Sequence, residues 1–133
     1  MLIEEELSYK LRGLFFEISK EFGCLFKERA YHKIICQRLI SENIGYLEFP
    51  KIEILDPFSG KVIDYYKPDL LIENKIIIEI KAVNLLESRH INQLITYLCH
   101  SKYELGFIVN FGSPRTQVIR RIYTNDKKLF LLK

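Results

Sequence analysis

The sequence predicts an α/β protein, a mixed β-sheet flanked by helices in the order ααββββαβ(ββ). Three observations carry this reading. Two stretches with apolar residues at three- and four-residue steps come first, short strand-like runs separated by turn residues follow, and one further helical stretch interrupts the strands. In the first stretch Leu7, Leu11, Leu14, Phe15 and Ile18 form one face of a helix over residues 4–22, and Gly23 supplies a stop. The second covers residues 26–43, with Ala30, Tyr31, Ile34, Ile35, Leu39 and Ile40 on its apolar side and Gly45 closing it.

Residues 46–55 read as a strand interrupted by Pro50, and Asp-Pro-Phe-Ser-Gly at 56–60 is a turn signal that sends residues 61–67 back as the next strand. Residues 70–73 and 76–82 make two more strands around a tight turn at Asn74. Ile91, Leu94, Ile95 and Leu98 repeat at helical spacing within 86–101. Residues 105–111 then form a buried strand, and 117–123 and 129–132 are expected as short closing strands.

A chain of 133 residues is about one domain, so a single domain spanning 1–133 is expected. Hydrophobic residues at 48% and charged residues at 28% exclude a disordered chain, and no apolar run reaches the ~18 residues of a membrane span. The first twenty residues are studded with Glu and Lys rather than holding a signal-peptide core, which gives a cytoplasmic expectation. Cys24, Cys36 and Cys99 are odd in number and without CxxC spacing, which argues against a disulfide framework and a zinc site and for reduced packing residues. A net charge of +3 permits a nucleic-acid partner without requiring one.

The stretch PDLLIENKIIIEIKA, Pro68 to Ala82, holds the main puzzle, because Glu79 and Lys81 stand in the greasiest strand of the chain. With a period of two, Ile76, Ile78 and Ile80 share one face while Ile77, Glu79 and Lys81 share the other. Ionised groups in a central strand must be paired, open to a cleft or bound to a cation. An edge-strand ion pair is the simplest account. The turn at Asn74 also brings Asp69 near Glu79, and two carboxylates beside a lysine make a site for Mg²⁺ or Mn²⁺. A two-residue turn would oppose Asp69 to Ile80 and turn it away from Glu79, so the site demands a three-residue loop, a bulge or a bend near Pro68.

Pro68-Asp69 followed by Glu79-Ile80-Lys81 resembles the signature of the PD-(D/E)xK nuclease superfamily. FGCLFKERAYHKII resembles the G…ExxY helix start of its GxxExxY family, with Glu28 and Tyr31 in the motif positions. INQLITYL resembles the QxxxY helix motif, here Gln93 and Tyr97, and GFIVNFG with the later IRRIY resembles the closing strands. The likeness runs from about Leu7 to Tyr123. It departs at Phe22-Gly23-Cys24, where relatives usually carry glycine, proline, glycine.

The resemblance implies a restriction-endonuclease-like core and metal-dependent hydrolysis of nucleic-acid phosphodiesters, DNA ahead of RNA. Asp69, Glu79 and the Ile80 carbonyl would hold Mg²⁺ or Mn²⁺, with Glu28 completing the cluster. Lys81 would orient or deprotonate the water, and Gln93, Tyr97 and Tyr31 would contact substrate. A catalytically inactive nucleic-acid- or protein-binding module on the same fold is the alternative, as is a structural domain in which Glu79 and Lys81 form an ion pair.

His32, His90 and His100 are expected as surface or core histidines. Arg115, Arg120, Arg121, Lys127 and Lys128 make the C-terminal end basic, as a solvated face or a phosphate track. A homodimer could use Phe58, Tyr65 and Tyr66 as exposed interface aromatics.

Overall fold

The computed structural model describes residues 3–131. Its elements are α1 (Glu5–Phe22), α2 (Glu28–Ser41), β1 (Tyr46–Glu48), β2 (Ile52–Leu55), β3 (Val62–Tyr66), β4 (Leu70–Ile72), β5 (Ile76–Lys81), α3 (Ser88–Cys99), β6 (Leu105–Asn110) and β7 (Gln117–Ile122). Two 3₁₀ turns follow, Asn125–Lys127 and Leu129–Leu131. The strands form a five-stranded mixed sheet in the order β1-β4-β5-β6-β7 and a separate β2-β3 ribbon. Only β5 and β6 run parallel, joined by the α3 crossover such a pair requires; the other pairings are antiparallel. This mixed sheet flanked by three helices is the restriction-endonuclease-like arrangement expected.

Both faces of the sheet are covered. Leu11, Phe15 and Ile18 of α1 and Tyr31, Ile35 and Leu39 of α2 pack on Ile76, Ile78, Ile80 and Phe107. On the opposite face Leu94 and Leu98 of α3, with Ile52, Ile54 and Tyr66 of the ribbon, cover Leu71, Ile77 and Ile108. That double burial explains why β5 reads as a continuous apolar run with only Glu79 and Lys81 half-buried.

Several expectations are corrected. Pro50 does not merely interrupt one strand: β1 joins the main sheet beside β4, while β2 leaves for the ribbon. α2 is closed at Asn43, whose φ of 58° takes the left-handed position assigned to Gly45. The closing strand at 129–132 is instead a 3₁₀ turn over Leu129–Leu131, with Leu132 outside the described residues. Gly23 does end α1, at φ 71°, its N–H donating to the Ser19 carbonyl at 2.9 Å.

The β4-β5 turn fixes the register on which the site depends. Leu70 pairs with Ile78 and Ile72 with Ile76, leaving a three-residue loop, Glu73-Asn74-Lys75. Glu73 and Asn74 both adopt positive φ, at 52° and 53°, and Lys75 N–H donates to the Ile72 carbonyl at 2.9 Å. The loop is anchored from outside: Gly45 N–H donates to the Glu73 carboxylate at 2.7 Å and the Tyr103 hydroxyl to Asn74 Oδ1 at 2.9 Å.

Candidate active site

Continuing the β4-β5 register past Leu70 sets Asp69 opposite Glu79, on one face of the sheet. The two are in contact, Asp69 N–H donating to Glu79 Oε1 at 3.3 Å. The same register sets Pro68 opposite Ile80. A strand residue sends its N–H and C=O to the same side, so both Ile80 groups face this gap, where Pro68 has no N–H to offer the carbonyl. Asp69 occupies the gap instead, and its Oδ2 accepts a 2.6 Å hydrogen bond from Ile80 N–H.

Glu79 accepts from the buried Tyr66 hydroxyl, and Tyr66 stacks on Tyr97 of α3 with centroids 3.8 Å apart. Burial, followed by the Asp69 charge, pushes the Glu79 carboxyl up to about 7 against the opposing pull of Tyr66 and Lys81. Burial raises the Asp69 carboxyl as well, opposed by the Ile80 N–H, His32 and Lys81. Glu28 opens α2 at the cleft mouth; desolvation there, then the Asp69 charge, raises its carboxyl against the attraction of Lys81 and His32. The carboxylates therefore behave as a cluster short of positive charge.

Lys81 is half-buried and, among the described residues, makes no ion pair within 4.0 Å, so the simple Glu79–Lys81 pair is not formed. It feels the same carboxylates and lowers the His90 imidazole, after burial, as the second cause.

The chain just after Lys81 is pinned by Asn110. This fully buried residue accepts from Val83 N–H at 2.9 Å and donates to the Val83 carbonyl at 2.9 Å and to Gln117 Oε1 at 2.9 Å. Gly112 permits that approach, because a Cβ there would lie 2.3 Å from the Val83 nitrogen.

Asp69 and Glu28 also line a cleft of ≈ 680 Å³ with Arg29, His32, Phe49 and Ile40. Oxygen donors from Asp69 and Glu79 beside the Ile80 carbonyl, short of a counter-charge, suit a hard divalent cation.

The remaining candidates divide. Gln93 and Tyr97 lie one turn apart on α3 and hydrogen-bond each other at 3.4 Å, with Tyr97 tied to Glu79 through Tyr66. Tyr31 has no accessible surface; it stacks on Phe111 and donates to the Gly23 carbonyl at 2.6 Å while accepting from Phe26 N–H. It therefore shapes the α1-α2 loop from inside rather than reaching toward substrate. Tyr66, expected as an exposed interface aromatic, is buried, whereas Phe58 and Tyr65 are exposed.

The basic C-terminal stretch is not one solvated face. Lys128 is buried, donating to the carbonyls of Ser101 and Tyr103, and Arg120 donates to the Ile3 carbonyl at 2.7 Å. Sequence reading assigned Asn110 no role, although the strand-ending Asn-Phe-Gly carried a signal for it; Tyr66 was expected at an interface rather than beside Glu79, and His32 is a core histidine, one of its two expected places.

A mixed sheet presenting two carboxylates and a lysine at the ends of adjoining strands defines the restriction-endonuclease-like class. The chain belongs to the PD-(D/E)XK nuclease superfamily, whose family model matches residues 5–122. No curated protein and no solved structure matches it significantly. Among the described residues no helix is long and apolar enough to cross a membrane.

Proposed function

We propose that the chain is a metal-dependent nuclease of the GxxExxY branch, a single cytoplasmic domain that hydrolyses phosphodiester bonds in DNA with Mg²⁺ or Mn²⁺. The single observation that carries this reading is the contact of Asp69 with both Glu79 and the Ile80 N–H at the gap beside Pro68. Asp69, Glu79 and the Ile80 carbonyl would hold the ion, and Glu28 would add a carboxylate at the cleft mouth. A divalent cation held by these residues would supply charge neutralisation at the phosphate and acidify a bound water.

The chain's own groups do the rest. Among the described residues Lys81 makes no ion pair within 4.0 Å, which leaves its ammonium to orient the attacking water and to offset charge on the phosphate oxygens. The Tyr66 hydroxyl draws the Glu79 carboxyl back toward ionisation against burial and the Asp69 charge, and the Tyr97 stack keeps Tyr66 in place. Gln93, exposed on the same helix, contacts the nucleic-acid backbone. Phe58 and Tyr65 supply apolar surface for a homodimer.

The test is a panel of labelled single- and double-stranded DNA and RNA incubated with Mg²⁺ and with Mn²⁺ beside the Lys81→Ala variant. Cleavage by the parent and none by the variant supports the reading and identifies the substrate. Equal cleavage by both overturns it, and binding without any cleavage moves the chain to the inactive-module alternative.

A further inference from the structure

We propose that His32, Cys36 and Glu48 form a second metal site, suited to Zn²⁺ and separate from the Asp69–Glu79 pair. Positions i and i+4 of α2 put His32 and Cys36 on one helical face a turn apart. Glu48, at the end of β1, reaches both from the neighbouring edge strand. Its Oε1 lies 3.5 Å from Cys36 Sγ and its Oε2 lies 3.7 Å from His32 Nε2, and one donor atom from each residue falls within 4.8 Å of the others. Tetrahedral Zn²⁺, with bonds of about 2.0–2.3 Å, holds its ligands roughly 3.3–3.7 Å apart. The two contacts made by the Glu48 oxygens fall in that range, and the three donors lie within 4.8 Å of one another.

A second, independent feature points the same way. His32 is only 9% exposed, and its Nε2 is buried without a hydrogen-bond partner among the described residues. Buried ring nitrogens are ordinarily satisfied, and this one faces a thiol and a carboxylate. The ring is held by stacking on Phe49 with centroids 4.9 Å apart, and the Tyr46 hydroxyl hydrogen-bonds Cys36. The imidazole is thus fixed before any ion arrives.

Ligand chemistry distinguishes this cluster from the first. Thiolate and imidazole favour Zn²⁺ over Mg²⁺, whereas the Asp69 and Glu79 carboxylates favour the hard ion, so one cleft would sort two metals. As the zinc–sulfur bond forms, the Cys36 thiol releases its proton to solvent and no electron is transferred. Three protein ligands leave a fourth position, and the ≈ 680 Å³ cleft lined by all three residues opens onto it, with room for water or a substrate group.

The test uses the untagged full chain, stripped of metal and titrated first with Co²⁺ as an optical stand-in and then with Zn²⁺. The expected result is a thiolate-to-cobalt charge-transfer band with tetrahedral visible bands, bleached by Zn²⁺. Cys36→Ser should remove the charge-transfer band. Glu48→Gln, at a surface side chain that the core does not depend on, should keep the band and weaken Zn²⁺ binding by at least ~10-fold, within or beyond the range for loss of a ligand's supporting group. Asp69→Asn should leave all of this unchanged, which separates the proposal from the nuclease reading. It is overturned if no band appears, if the band survives Cys36→Ser because Cys24 or Cys99 supplies it, if Glu48→Gln binds Zn²⁺ like the parent, or if Asp69→Asn abolishes binding.

Discussion

The Asp69 carboxylate accepts a 2.6 Å hydrogen bond from the Ile80 N–H, taking the position that a Pro68 carbonyl would hold in a continuous ladder. One oxygen thus satisfies the strand while the carboxylate stays beside Glu79. Asp69→Asn keeps an oxygen that can accept from Ile80, so the fold should survive with a stability change of about 1 kcal/mol or less. The charge that attracts a cation is lost, and cleavage in Mg²⁺ should fall by at least ~10²-fold. Urea unfolding and single-turnover cleavage, measured side by side, check the two halves separately.

Glu79 gives the metal-free protein a pH dependence with a definite sign. Its carboxyl, raised to about 7, binds a proton more tightly in the folded chain than in the unfolded one. That contribution is present at low pH and is lost as pH rises from the ordinary carboxyl range through about 7. Asp69 and Glu28 are raised too and act in the same direction. The metal-free parent should therefore lose stability between about pH 5 and 8, and Glu79→Gln should remove roughly 1–3 kcal/mol of that loss. Saturating Mg²⁺ should flatten the parent's slope as well, since the ion favours the ionised carboxylates. Urea midpoints across this range, with chelator and with Mg²⁺, provide the check.

Tyr66→Phe removes only the hydroxyl that Glu79 accepts from, leaving the stack on Tyr97. The Glu79 carboxyl should then rise further, and the acidic limb of kcat/KM should move to higher pH, by an amount corresponding to about 1 kcal/mol. A pH–rate profile identical to the parent's would remove Tyr66 from the site.

Gly112→Ala tests the support beneath Lys81. The added Cβ would meet the Val83 nitrogen at 2.3 Å and the Ala82 carbonyl carbon at 2.4 Å, both main-chain atoms that cannot rotate away. A loss of roughly 2–4 kcal/mol in unfolding free energy is expected, together with reduced cleavage as the chain after Lys81 shifts. Denaturant unfolding of the purified variant checks it.

The helices and β5 were legible because periodicity reports burial directly: Leu11, Phe15 and Ile18, and then Ile76, Ile77, Ile78 and Ile80, are core residues. The Asp69–Glu79 approach was legible only as a demand on the turn. Glu73-Asn74-Lys75 holds no glycine, yet two of its residues adopt positive φ because Gly45 and Tyr103 anchor the loop from distant parts of the chain. Tyr66 was misjudged because β3 is exposed over the rest of its length, and only its last residue turns under α3. Lys128 looked like one more surface cation until the carbonyls of Ser101 and Tyr103 closed around it. His32 and Cys36 gave no metal signal of their own, since their third partner is supplied by a separate strand.

The most direct measurement of the central claim is a Mg²⁺ titration followed by amide NMR, watching Asp69, Leu70, Glu79, Ile80 and Lys81. Saturable shifts concentrated on these residues, with the Ile80 amide among the largest as Asp69 turns to the ion, and their disappearance in Asp69→Asn, are the expected result. Shifts absent from these residues, or unchanged in Asp69→Asn, would contradict a cation site at the Pro68 gap.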